Sequence, residues 1–424
     1  MKKELIFPTP SRKGFITNYP PYRQWKRTAA ESILPGKPIN VYVHIPFCIQ
    51  RCAYCYYRTN DLKGIDRRKF LNRYVDALCR EIELTAQKFH LQDRPVLSIY
   101  FGGGTPTILT SDQLERLGKT LFGHLNVDTP EFTVEAEPVT LTPKKAALLK
   151  KMHVNRISLG VQSFRDEILE ICNRLDNEEK ALKAVDIARS MGAVVNIDLL
   201  SGLAAEKGDS WAYTIDRALS SGAESITIYK MELYANTDYY KSLRRKKIEL
   251  PDNDNELSFM NHALDEFEKA DYLPWCFFTF TKNGNYKHTY ISSVWEGNDC
   301  FAFGASAFGE LGSRLYQNTN DEEKYMSRLE AGELPVNRGY HLTGLEQMIR
   351  TVLLGMKLLS LDLEKFRQRF GIPLETLCGE AIDKMEGEGY ITTTKDALTL
   401  TRKGILYGDY TGRCLAAPLV EMGK

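Results

Sequence analysis

The sequence predicts an α/β protein: a partial (β/α)6 TIM-like barrel followed by a small, mainly helical, winged-helix-like C-terminal domain. Three observations lead there. Short apolar runs alternate with stretches of helical spacing six times before residue 280, and repeated strand–helix units imply a parallel sheet. The 424 residues leave room for a barrel of roughly 250 residues and an appendage. After about residue 315 the alternation gives way to consecutive helical segments.

Taken in order, residues 1–39 carry Pro, Tyr and Arg with little periodicity and read as an N-terminal arm. Strands are expected at Val41–Ile45, Val96–Tyr100, Glu131–Glu135, Arg156–Val161, Val194–Leu200 and Ser225–Tyr229. Helical spacing fills the intervals at 67–89, 111–125, 143–152, 164–172, 178–191, 211–220 and 255–270. Residues 40–315 are assigned to the barrel with a strand extension, and 316–424 to the C-terminal domain. There, Leu342–Leu359, Leu363–Phe370 and Pro373–Glu388 read as helices. Residues 389–392 and Ala397–Thr401 read as a small hairpin wing.

Composition excludes several classes. With 56 basic and 55 acidic residues, the chain has no electrostatic footprint for nucleic acid. The basic stretch Arg244–Lys247 reads as a solvated helix end. No run approaches the roughly 20 apolar residues that span a membrane, and prolines interrupt the N-terminus before any signal-like run. A cytoplasmic protein without membrane partners is expected. Six of the nine cysteines are scattered, which does not suggest a disulfide scaffold.

The other three fall in one loop after the first strand, Cys48, Cys52 and Cys55, spaced C-x3-C-x2-C. Thiolates are the usual ligands of iron–sulfur clusters, and [4Fe–4S] takes four. Three in one loop leave one iron open, and an open coordination position is what chemistry at a metal requires. A zinc site would need a fourth ligand, for which only His44 is near, and a redox C-x-x-C leaves Cys48 unexplained. A second feature is Gly102-Gly103-Gly104-Thr105 after the second strand. Consecutive glycines let backbone approach a ligand closely; the stretch lacks the phosphate-loop pattern G-x-x-x-x-G-K.

The cysteine spacing is similar to the signature of the radical S-adenosylmethionine (SAM) superfamily. There the amino and carboxylate groups of SAM chelate the open iron, and SAM cleavage yields a carbon radical that abstracts hydrogen. With His44–Cys48, Gly102–Thr107, Glu135–Pro138, Leu159–Phe164, Asn173-Arg174, Asn196–Leu203 and Gly304–Gly309, the chain resembles the oxygen-independent coproporphyrinogen III oxidase family over about residues 40–410. That resemblance implies two SAM molecules and a low-potential electron donor of flavodoxin or ferredoxin type. It implies SAM contacts at Tyr42, Gly103, Gly104, Thr105, Glu135, Gln162, Arg174 and Asp198, with Tyr54 packing beside the cluster. The residue types agree. Polar groups at strand ends hold hydroxyls and the amine, and an arginine fork holds a carboxylate.

The chain also departs from the founding oxidase. Those enzymes carry a cysteine two positions past the third, where this chain has Tyr57. The related haem chaperones carry H-N-x-x-Y-W, where this chain has Tyr290–Trp295 without the His and Asn. The run Gly312–Asn318 resembles the G…QN stretch of class C radical SAM methyltransferases, radical SAM cyclopropanases and anaerobic haem-degrading methyltransferases. On that basis the expected reaction is transfer of a SAM-derived methyl or methylene group to an sp2 carbon of an unsaturated small molecule. The alternatives are a coproporphyrinogen-type oxidative decarboxylase or other tetrapyrrole-modifying enzyme, and a haem-binding chaperone. Trp275–Phe280 is the expected specificity segment, with Cys276 and Glu232 as candidates for catalytic proton handling; ordinary core is the competing reading of that segment.

Overall fold

In the computed structural model, residues 7–10, 14–16, 18–26 and 38–423 are described. The expected arm therefore lies partly outside the described residues.

The barrel follows from its strand pattern. Six parallel strands run in sequence order: β1 (Ile39–Ile45), β2 (Val96–Gly103), β3 (Glu131–Ala136), β4 (Arg156–Gln162), β5 (Val194–Ser201) and β6 (Ser225–Lys230). Helices α1 (Arg67–Phe89), α2 (Ser111–His124), α3 (Pro143–Lys151), α4 (Asp166–Ile171), α5 (Glu178–Ser190) and α6 (Gly208–Ser220) separate them. Val41, Val43 and Ile45 on β1 are fully buried within the main apolar core. Their neighbours Asn40, Tyr42 and His44 are on the opposite face of the strand, because successive side chains alternate. That second face is polar near the strand starts. Ser98 Oγ donates to Asn40 Oδ1 at 2.7 Å, Asn196 Nδ2 to Ser158 Oγ at 2.9 Å, and Ser225 Oγ to Asn196 Oδ1 at 2.7 Å. Buried polar groups are thus paired, as burial demands.

Both ends of the sheet are extended. On the β6 side come the antiparallel strands β8 (Thr279–Lys282) and β7 (Tyr272–Cys276), after α7 (Asp238–Arg244) and α8 (Asn253–Lys269). The basic stretch at 244–247 closes α7. Following α9 (Thr289–Trp295), β9 (Cys300–Phe303) joins β1 in parallel, and β10 (Phe308–Leu311), β11 (Arg314–Asn318) and β12 (Val336–His341) continue antiparallel. The boundary expected between residues 315 and 316 falls inside β11. Main-sheet pairing runs on to His341, with α10 (Glu322–Glu330) packed on α1.

Beyond it lie α11 (Gly344–Gly355), β13 (Ser360–Asp362), α12 (Leu363–Phe370), α13 (Leu374–Gly387), β14 (Ile391–Thr393), β15 (Ala397–Leu400), α14 (Arg402–Tyr407) and α15 (Asp409–Met422). The expected hairpin gains a third strand, giving the order β13-β15-β14, over a second apolar core. Among the described residues, no helix is long and apolar enough to cross a membrane.

Candidate active site

The cysteine loop is fixed from three sides. Asn60 N donates to Pro46 O (2.9 Å) and Cys48 N to Asn60 O (3.2 Å). Gly104 N and Thr105 N, at the end of β2, donate to Ile45 O and Phe47 O at 2.9 and 2.8 Å. Past α4, Asn173 Nδ2 donates to Arg51 O at 2.9 Å, and Ala53 N to Cys172 O at 2.9 Å. Phe47 anchors the loop beneath, edge-on to Tyr74 at 4.8 Å.

The close approach of β2 explains its glycines. A Cβ on Gly104 would stand 2.7 Å from Phe47 O and 3.0 Å from Cys48 Sγ; one on Gly103, at φ +115°, would meet the His44 ring at 2.6 Å. Only glycine allows this contact.

Cys48, Cys52 and Cys55 all line one large cavity at the C-terminal ends of the strands. Burial pushes the Cys48 thiol up to about 12 and that of Cys55 up to about 11. Among the described residues, no three His, Cys, Asp or Glu side chains converge as a single ion would require. A multi-iron cluster instead bonds each thiolate to a different iron, so its ligands stand further apart.

The remaining polar residues are arranged around the thiols. Glu135 Oε2 accepts from Gly103 N at 3.0 Å and Oε1 from the Tyr100 hydroxyl at 2.6 Å; burial still raises its pKa. Asp198 is pushed up to about 7, chiefly by burial, and accepts from Ser158 Oγ at 2.7 Å. Gln162 closes β4 at φ +68°, beside a register shift between Gly160 and Gln162. A non-glycine residue held there is strained, as residues at functional sites often are. Arg174 donates to Tyr54 Oη (3.2 Å), Gly160 O (2.6 Å) and Asp176 Oδ2 (2.5 Å), and Nη1 lies 3.4 Å from Cys52 Sγ.

Of the residues singled out from the sequence, Tyr42, Tyr54, Gly103, Gly104, Glu135, Gln162, Arg174, Asp198 and Glu232 line the cavity with the three cysteines. Thr105 is buried beneath, its hydroxyl 3.5 Å from Cys48 Sγ. Cys276 is placed elsewhere. It is fully buried in an aromatic pack with Trp275 and Phe278 and is absent from the cavity wall, although Phe277 and Phe278 belong to it. The reason is a register shift between Pro274 and Cys276, since a one-residue slip exchanges strand faces. Glu232 accepts the Gly14 N–H at 3.1 Å.

Sequence reasoning missed several wall residues. Phe15 comes from the arm, Tyr229 and Lys230 from β6, Tyr234 from the loop before α7, and Ile405–Asp409 from the C-terminal domain. No spacing signal marks them, because tertiary closure brings them in.

Residues 42–218 match the family described as the Radical SAM superfamily, and residues 342–407 match the HemN C-terminal domain. The chain thus contains a radical SAM domain over residues 42–218 and a HemN-type C-terminal domain over residues 342–407. Its fold is that of the Escherichia coli structure titled "Coproporphyrinogen III oxidase (HemN) from Escherichia coli is a Radical SAM enzyme". The TM-score is 0.82 at 22% identity, covering 95% of this chain and 96% of that one. Among curated relatives, the heme chaperone HemW of Bacillus subtilis is 28% identical, over 87% of this chain and 97% of its own length. The oxygen-independent coproporphyrinogen III oxidase of Pseudomonas aeruginosa is 28% identical, over 88% and 84%.

These findings overturn the expected methyl or methylene transfer, and with it the placement nearer to class C methyltransferases than to the oxidase. The two relatives just given are named as a haem chaperone and an oxidase. The Gly312–Asn318 run that suggested methyl transfer also lies off the cavity. Gln317 Nε2 donates to Ser306 O at 3.2 Å and Asn318 Nδ2 to Glu81 Oε1 at 2.6 Å. Those contacts tie β11 to the turn before β10 and to α1.

The fold implies a [4Fe–4S] cluster and SAM, and the site fits them. Three soft thiol donors line one cavity, the glycine strand leaves no Cβ between Cys48 and β2, and the buried Nε of Arg174, whose Nη1 lies 3.4 Å from Cys52 Sγ, has no hydrogen-bond partner.

Proposed function

We propose that this chain is a radical SAM enzyme that modifies a tetrapyrrole, holding its cluster on Cys48, Cys52 and Cys55. When bound, the cluster and SAM supply reductive SAM cleavage and hydrogen abstraction from a substrate carbon; a low-potential protein donor supplies the electron. The residues of the chain do the positioning. Glu135, fixed by Gly103 N and Tyr100, accepts from the amine of SAM, and Asp198 and Gln162 take its hydroxyl groups. Arg174, bonded to Tyr54, Gly160 O and Asp176, fixes the cysteine loop against the end of β4, and Tyr54 packs beside the cysteines. Tyr42, Tyr229, Phe277 and Phe278 supply aromatic wall to the same cavity, against which the substrate packs.

The observation that carries this reading is that Glu135, Gln162, Arg174, Asp198 and three thiols share one aromatic-walled cavity. The relatives support a tetrapyrrole, since their names specify haem and coproporphyrinogen. Haem carriage alone is less well supported. His288, the histidine nearest the chaperone-type segment, lies 2.7 Å from Glu131 Oε1 in a buried pair. Burial raises Glu131, but His288 and Arg156 overcome it and hold the carboxyl at about 2. Tyr290 is stacked against Tyr42 at 6.1 Å and packs on Tyr100 at 4.8 Å. That segment therefore offers no free axial ligand of this kind.

The test is mass analysis of haem or coproporphyrinogen III after anaerobic incubation with reconstituted protein, reductant and SAM. A new tetrapyrrole mass is expected. Unchanged haem held stoichiometrically, with SAM unconsumed, would replace this reading with haem carriage.

A further inference from the structure

Directly after the third cysteine the chain carries Tyr56 and Tyr57, and the two do not disperse into the core. The rings of Tyr56 and Tyr57 are stacked at 4.4 Å and 26°, and Tyr56 is stacked on Tyr234 at 4.2 Å and 28°. All three line the cavity that contains the cysteines. Tyr57 is 51% exposed and Tyr234 36% exposed.

The column is built rather than incidental. Asn236 Nδ2 donates to Tyr56 O at 3.1 Å, tying the cysteine loop to the loop before α7. Thr237 Oγ1 donates to Tyr234 O at 2.6 Å, and Thr59 N to Tyr57 O at 3.0 Å. Aromatic rings left open to solvent as a contiguous group mark binding surfaces, and a pre-stacked column loses little entropy when a further ring is added.

We propose that Tyr57, backed by Tyr56 and Tyr234, is a stacking face that selects a planar, fully conjugated tetrapyrrole over its reduced, puckered counterpart. This rests on the tetrapyrrole reading above. A conjugated macrocycle offers one continuous π surface, which stacks on an aromatic ring. In a porphyrinogen the sp3 bridges break conjugation and tilt the four pyrroles independently, so no such surface exists. A smaller side chain at residue 57 would leave the column open at that end. Tyr57 thus acts on specificity and takes no part in bond breaking.

The experiment titrates the anaerobic, cluster-loaded full chain with coproporphyrin III, which is planar and iron-free and excludes axial ligation. Coproporphyrinogen III then serves as the competitor. The wild type is expected to bind the porphyrin roughly tenfold more tightly than the porphyrinogen. Tyr57→Ala is expected to weaken the porphyrin by about tenfold and leave the porphyrinogen unchanged, and Tyr57→Phe to retain the wild-type preference. Because Tyr57 is half exposed, cluster content should be equal in all three. Equal binding of the two tetrapyrroles, or a Tyr57→Ala variant that weakens both or neither, overturns the stacking face and leaves the tetrapyrrole reading standing. Failure of the wild type to bind either one overturns both.

Discussion

Arg174 Nη1 lies 3.4 Å from the Cys52 sulfur while Nη2 is 2.5 Å from Asp176 Oδ2. Both ionic side chains are nearly inaccessible, at 3% and 2%. One guanidinium thus connects the cysteine loop to the end of β4 and to a buried carboxylate. Removing one partner of a buried pair leaves the other charge uncompensated, which costs roughly 3–5 kcal/mol. Arg174→Gln is expected to lower unfolding free energy by about that much in denaturant titrations at matched cluster content. A loss below about 1 kcal/mol would be the signature of an exposed pair and would contradict this placement.

Glu135 should matter to SAM and not to the cluster. Its carboxylate accepts from Gly103 N and Tyr100 and touches no cysteine. Hydrogen bonds to charged groups are worth about 1.5–3 kcal/mol, or roughly 10- to 150-fold in affinity. Glu135→Ala is expected to keep full iron and sulfide content and weaken SAM binding by that factor, measured by equilibrium dialysis. Unchanged SAM affinity would remove Glu135 from the contact set.

The glycine strand gives a steric prediction. Gly104→Ala puts a methyl 2.7 Å from Phe47 O and 3.0 Å from Cys48 Sγ, so the cysteine loop must move. Cluster loading should fall well below that of the wild type, while Gly123→Ala, with nothing within 4 Å, should leave it unchanged. Iron analysis after identical reconstitution decides the matter.

Glu206 makes stability pH-dependent. Burial, with Glu256 nearby, raises its carboxyl to about 8, and Oε1 has no hydrogen-bond partner. A carboxyl raised in the folded state binds more protons folded than unfolded between about pH 4.5 and 8. Its contribution is therefore complete below that window and lost as pH rises through it. Each pH unit crossed within the window removes up to roughly 1.4 kcal/mol. Glu206→Gln, which stays neutral, should flatten the fall in unfolding free energy between about pH 5 and 8 relative to wild type. Parallel curves for the two proteins would show that Glu206 does not titrate in this range.

The barrel strands were legible because apolar residues recur at every second position, as Val41, Val43 and Ile45 or Val195, Ile197 and Leu199 do on the buried face. The extension strands β7–β12 were not. They are short, and β9 pairs with β1 across some 260 residues, a separation no local pattern encodes. The three cysteines stood out as a group through spacing alone. The burial of Cys276 off the cavity wall depends on a register shift with β8 that local sequence does not encode, and Gly312–Asn318 misled because a motif likeness carried no information on which side of the sheet it lay. The column of Tyr56, Tyr57 and Tyr234 became visible only when the loop before α7 closed on the cysteine loop.

The measurement that tests the account most directly is 5′-deoxyadenosine formation by anaerobically reconstituted protein with dithionite and SAM, with and without a tetrapyrrole. The wild type should form it in step with loss of the tetrapyrrole, and Cys48→Ala, Cys52→Ala and Cys55→Ala should form none. A verified cluster that yields no 5′-deoxyadenosine with haem, coproporphyrin or coproporphyrinogen present would contradict the assignment of this site to radical chemistry on a tetrapyrrole.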